Sequence, residues 1–122
     1  MRRPLALAAT LLTVVVLGAA CGSDDDADGG GDTTVKTIEI TVADGVMTPS
    51  GEEVDVDTGQ PVDLVVTADA PGEIHIHSDP EQEFPYEGTG EPETFELQID
   101  RPGQVDIESH TLDQLIVKLV VQ

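Results

Sequence analysis

From Val35 onward apolar residues recur at every second position, and segments with that period bury one face only as β-strand. Ile38-Glu39-Ile40-Thr41-Val42 alternates without a fault. Further runs follow at residues 54–56, 62–67, 73–77, 94–99, 105–108 and 115–121, and 62–67 is the most apolar internal one. Between them lie turn sequences: Asp44-Gly45, Pro49-Ser50-Gly51, Thr58-Gly59-Gln60-Pro61, Asp69-Ala70-Pro71-Gly72 and Arg101-Pro102-Gly103. Residues 80–92 form a Pro- and Gly-rich crossing in which Phe84-Pro85-Tyr86 is expected to cover one end of the molecule. About seven short strands at regular spacing, rich in β-branched residues and free of helical period, predict an all-β sandwich or barrel. A segment the length of 35–122 buries about 60% of its unfolded surface, enough for one core without staples. Met47 and Phe95 are expected in that core.

The first 34 residues are written differently. Arg2 and Arg3 precede an apolar stretch at 5–17, and the small residues Gly18, Ala19 and Ala20 lead to Cys21. A charged start, a short apolar run and a small-residue cleavage site read as a secretory signal over residues 1–20. The apolar stretch is shorter than the roughly 18–20 residues that a spanning helix needs. Leu17-Gly18-Ala19-Ala20-Cys21 resembles the lipobox of bacterial lipoproteins, with Gly18 where that pattern most often carries leucine. The resemblance implies diacylation of Cys21, palmitate included, and a lipid anchor on the extracytoplasmic face of the cell membrane. Residues 21–34 carry five aspartates, four glycines and no large apolar side chain. Such a segment cannot bury a core and is expected to be a disordered, acidic tether, spanning roughly 20 Å as a flexible coil. Asp24–Asp28 lacks the glutamate an EF-hand loop requires.

Charge and cysteine count exclude several functions. With 25 acidic against 5 basic side chains the net charge is −20, and nucleic-acid binding rests on Lys and Arg neutralising phosphates, so no nucleic-acid partner is expected. One cysteine excludes disulfide frameworks, Cys-rich zinc sites and CxxC redox chemistry. No GxSxG elbow, HExxH helix or phosphate loop is present. Ser109 and His110 are chain neighbours, so on a strand they face opposite ways and make no nucleophile pair. Glu73 and Glu108 as a glycosidase pair would want an aromatic-lined cleft, and the chain has three aromatics. No enzymatic activity is expected.

The chemistry that remains lies in three histidines. In 73–77 Ile74 and Ile76 take one face, while Glu73, His75 and His77 take the other. In 105–110 Val105 and Ile107 face the core, leaving Asp106, Glu108 and His110 outside. If these segments are antiparallel neighbours, His75 and His110 meet near one end of the sheet with Glu73 and Glu108 alongside. Imidazoles with carboxylates are a ligand set for Zn²⁺ or Cu²⁺. The same pattern also reads as a solvated HxH pair, or as a pH-responsive surface in which carboxylates raise the histidine pKa values.

The residues Gly59-Gln60-Pro61-Val62-Asp63-Leu64-Val65-Val66-Thr67, a turn and then His75 resemble the first half of a cupredoxin. Pro102-Gly103-Gln104-Val105-Asp106-Ile107-Glu108-Ser109, then His110 and a closing apolar strand, resemble the second half. The likeness covers residues 35–122 and is nearest to cupredoxin-like domains of bacterial envelope lipoproteins, including the EfeO type linked to iron uptake. It implies a Greek-key β-sandwich of seven to eight strands with metal ligands at one end. His75 falls at the family's first histidine ligand. Ser109 falls where the family carries its copper-binding cysteine, and no methionine follows Met47 to serve as axial ligand. A blue-copper centre needs a thiolate with two imidazoles, so blue-copper electron transfer is not expected. Two readings stay open: a membrane-anchored lipoprotein binding one Cu, Zn or Fe ion through His75, His77, His110 and Glu108, or a metal-free sandwich serving an envelope protein partner.

Overall fold

The computed structural model describes residues 34–122, so the expected signal segment, Cys21 and nearly all of the tether lie outside the described residues. Nine strands form: β1 (Lys36–Ala43), β2 (Val46–Thr48), β3 (Glu52–Val56), β4 (Pro61–Ala68), β5 (Gly72–Ile76), β6 (Gln82–Tyr86), β7 (Pro92–Gln98), β8 (Gly103–Ser109) and β9 (Gln114–Val121). They lie in a four-stranded sheet of order β2-β1-β4-β7 and a five-stranded sheet of order β3-β9-β8-β5-β6. The pairs β1·β4 and β3·β9 are parallel, and the rest are antiparallel. Among the described residues no helix occurs. The architecture is therefore the expected all-β sandwich.

The alternation becomes burial directly. Ile38, Ile40 and Val42 of β1 and Val62, Leu64, Val66 and Ala68 of β4 face Ile74, Ile76, Val105, Ile107, Leu119 and Val121 of the other sheet. Each Val, Leu or Ile side chain among them contributes about 1.5–3 kcal/mol when removed from water. Polar neighbours such as Glu39, Thr41 and Asp106 stay on the outer faces. In β9 a register shift opposite Ile107/Glu108 places Ile116 and Val117 both in the core. That bulge breaks the period near the end of β8 from which Glu108 projects.

Two strands go beyond those expected. Asp44 and Gly45 both have positive φ, 53° and 76°, and join Ala43 to its partner Val46. A two-residue turn of this kind suits the twist of a hairpin, and it adds β2 to the sheet edge. Met47 of β2 is 1% exposed, in the core as expected. The crossing at 80–92 contains β6, with Gln82, Phe84 and Tyr86 turned inward and Glu83 and Pro85 outward. Proline is tolerated because β6 is an edge strand. Phe84-Pro85-Tyr86 thus extends a sheet as its edge strand. Phe84 stacks on Phe95 of the opposite edge strand β7, with centroids 5.2 Å apart, so Phe95 sits half-buried against the core.

Candidate metal centre

The site is built on three adjacent strands of the larger sheet, β6-β5-β8. Antiparallel pairing of β5 with β8 sets His75 directly opposite Glu108 and Ile76 opposite Ile107. Pairing of β5 with β6 sets His75 opposite Glu83. Because side chains alternate, Glu73, His75 and His77 share the outer face with Glu83 and Glu108. His77 N–H donates to the Asp106 carbonyl (2.9 Å), carrying the ladder one residue past the end of β5.

His110 joins this face from just beyond β8. Ser109, the preceding residue, is 1% exposed, and its Oγ accepts the Leu112 N–H (3.3 Å). Ser109 therefore faces away from the donor set, and His110 folds back over β5. The His75 and His110 rings stack with centroids 4.4 Å apart. His77 completes the cluster at 5.3 Å from His75 and 5.6 Å from His110. The two segments thus bring all three imidazoles together, and one ligand nitrogen from each lies within 4.8 Å of the others.

Carboxylates surround the rings. Glu108 Oε1 lies 2.7 Å from both His77 Nε2 and His110 Nε2 and accepts from each. Glu83 Oε1 accepts from His75 Nε2 at 2.7 Å, and Glu81 Oε1 lies 3.5 Å from His77 Nδ1. The hydrogen bond to Glu108 raises the His77 pKa above its ordinary 6.5 despite some desolvation. The hydrogen bond from His77, helped by that from His110, lowers the Glu108 pKa below 4.5.

These two shifts fix a pH dependence for the metal-free protein. The raised His77 pKa contributes stability that is complete below about 6.5 and is lost as pH rises through its folded value. The lowered Glu108 pKa contributes stability present above about 4.5 and lost as pH falls through its folded value. The difference in melting temperature between the parent chain and Glu108→Gln is therefore expected to be widest between about pH 4.5 and 6.5, narrowing on both sides. Its size stays small because both partners are partly exposed. Melts of chelator-treated protein across that range check this.

One feature departs from a solvated HxH pair. His75 is only 9% exposed, because His110 and its neighbours cover a position that alternation alone leaves to water. Its Nδ1 is buried with no hydrogen-bond partner. A buried polar atom left unpaired costs about 1–3 kcal/mol, so its retention calls for a reason. An ion bound at that nitrogen would satisfy it.

The donor chemistry decides which ion centres fit. The described residues contain no cysteine, and Met47 is in the core on a strand of the other sheet. A sulfur-ligated copper centre does not fit. Three imidazoles with an adjoining carboxylate fit a nitrogen–oxygen site for Zn²⁺, Cu²⁺ or Fe. Glu83 was not among the residues expected from sequence. The alternation of Gln82, Phe84 and Tyr86 is the signal that places it outward beside His75.

Several solved structures are similar to this chain. A copper-binding protein in its apo form is 18% identical with a TM-score of 0.57, covering 76% of this chain and 93% of its own. The metal-binding domain of the Cu(I)-exporting P-type ATPase CopA of Streptococcus pneumoniae is 16% identical with a TM-score of 0.54, covering 75% and 99%. A purple cupredoxin from Nitrosopumilus maritimus is 14% identical with a TM-score of 0.52, covering 71% and 99%. No protein-family model matches the chain, and no curated protein matches it in sequence. At these identities the likeness establishes the fold, and the fold is cupredoxin-like.

Proposed function

We propose that this chain is a non-enzymatic, membrane-anchored lipoprotein whose cupredoxin-like sandwich binds one transition-metal ion through His75, His77, His110 and Glu108. The observation that carries the reading is the grouping of one nitrogen from each of three imidazoles within 4.8 Å, one of them the buried His75 whose Nδ1 has no hydrogen-bond partner. Copper-binding proteins among the structures of similar fold support it. Nitrogen and oxygen donors rank Cu²⁺ above the other divalent ions of its row, Zn²⁺ included. Such a centre captures or passes on an ion and lacks the thiolate of blue-copper electron transfer. Glu108 serves twice. It holds His77 and His110 in place, and it offers an oxygen to an ion that displaces their protons.

The anchor would be lipid on Cys21, holding the sandwich on the extracytoplasmic face, with residues 21–34 as the expected tether. The acidic surface, with net charge −20, concentrates cations near the site. Replacing Cys21 by Ala is expected to abolish incorporation of labelled palmitate and to move the protein from the membrane to the soluble fraction. Retention on the membrane without label would contradict the anchor.

The metal reading is tested by calorimetric titration of the full chain with Zn²⁺ and with Cu²⁺. One equivalent bound more tightly than 1 μM, and weakened by His110→Ala, is the expected result. Binding at 1 μM or weaker, indifferent to both His75→Ala and His110→Ala, would leave the metal-free sandwich that serves an envelope protein partner.

A further inference from the structure

We propose a second, oxygen-rich cation position on the same face, formed by Glu73, His75 and Glu83 and suited to a harder ion such as Mn²⁺. Ligand atoms of these three residues lie within 4.8 Å of one another, a limit that the three imidazole nitrogens also meet. Their positions follow from register. Glu73 and His75 are two apart on β5, and Glu83 on β6 is the cross-strand partner of His75. His75 is nine-tenths buried, and its Nε2 already meets a Glu83 oxygen at 2.7 Å. Glu83, by contrast, is well exposed, so an ion can reach this edge from solvent.

The two positions differ in chemistry. Three imidazoles suit Zn²⁺ and Cu²⁺, whereas two carboxylates with one imidazole and water suit Mn²⁺. Both draw on His75, so the positions compete for one ring and the chain holds one ion at a time. The face thus sorts ions: an oxygen-preferring ion rests on the β5-β6 side and gives way when a nitrogen-preferring ion claims His75 for the β5-β8 side. This competition rests on the imidazole site proposed above, while the Mn²⁺ position itself requires only β5 and β6.

The test titrates the full chain with Mn²⁺ alone, read by loss of the free-ion electron paramagnetic resonance signal, and with Zn²⁺ by calorimetry. Glu73→Gln is the leading variant, because its loss leaves the Glu83–His75 hydrogen bond in place. The expected result is a tenfold or greater loss of Mn²⁺ affinity in Glu73→Gln and in Glu83→Gln. Zn²⁺ affinity should change less than twofold in Glu73→Gln, and Zn²⁺ should displace bound Mn²⁺ one for one. His110→Ala should show the opposite pattern, losing Zn²⁺ and keeping Mn²⁺. A Glu52→Gln/Glu53→Gln pair on β3 carries at least as large a charge change at another part of the fold and should leave both unaffected. The proposal is overturned if Mn²⁺ affinity survives Glu73→Gln, if it falls equally in the β3 pair, or if Glu83→Gln weakens only Zn²⁺, which would make Glu83 a positioning residue for the imidazoles. It is also overturned if Mn²⁺ and Zn²⁺ bind together. Zn²⁺ binding indifferent to His75→Ala and His110→Ala instead removes the imidazole site, leaving the Mn²⁺ result to be judged by the glutamates.

Discussion

His75→Ala is expected to weaken Zn²⁺ or Cu²⁺ binding at least a hundredfold while leaving the sandwich folded. The ring sits at the centre of the donor set, within 5.3 Å of the His77 ring and stacked on His110. Outer partners of metal ligands are already worth about 10–100-fold in affinity, so losing the central ligand costs at least the upper end of that range. The fold is affected far less. Removing the ring loses packing against His110 and the hydrogen bond to the exposed Glu83, but it also removes a buried nitrogen with no partner, and the gains and losses offset each other to within about 1 kcal/mol. Metal titration beside a thermal melt of the metal-free variant separates the two effects. A variant that binds as tightly as the parent would place the ion elsewhere.

Gly88→Ala is expected to do the reverse, damaging the fold before the chemistry. Gly88 lies in the connection from β6 to β7 with φ of +68°, and a Cβ there would overlap the Ala70 carbonyl and the Pro71 nitrogen. Those are backbone atoms of the turn entering β5, so no side chain can swing aside. Left-handed strain alone costs about 1–2 kcal/mol, and the overlap adds to it, giving more than about 3 kcal/mol in all. In a domain of this size that lowers the melting temperature by more than about 12 °C. Gly90→Ala is the comparison: its φ is +84° but nothing lies within 4 Å of the added carbon, so only the strain of about 1–2 kcal/mol remains. Equal melting temperatures for the two variants would contradict this account of the β6–β7 connection.

The sandwich was legible because burial in a half-covered strand follows a period of two, and β1, β4 and β8 keep that period along most of their length. The facing of Glu73, His75 and His77 away from Ile74 and Ile76 was legible for the same reason. Pairing of β5 with β8 was only conditional in sequence, since strand neighbours are chosen by non-local packing. Given that pairing, the meeting of His75 with His110 followed. Burial of His75 was not legible. Its cover comes from His110, which lies past the end of β8 in a turn held by Ser109 and Leu112, and alternation ends where a strand ends. The strand β6, and Glu83 with it, was obscured by prolines and glycines on either side, although an edge position makes Pro85 harmless. In β2 the positive φ of Asp44 and Gly45 is the local cause, and the Asp-Gly dipeptide is its trace in the sequence.

Imidazoles from β5, its immediate extension and the turn after β8 are proposed to hold one ion without sulfur. X-ray absorption of the Zn²⁺- or Cu²⁺-loaded full chain tests it most directly, because the first shell reports donor elements and outer-shell scattering counts imidazoles. Nitrogen and oxygen neighbours near 2.0–2.1 Å with multiple-scattering features from three imidazoles are the expected result. A sulfur neighbour near 2.3 Å, or a shell with one imidazole or none, would contradict it.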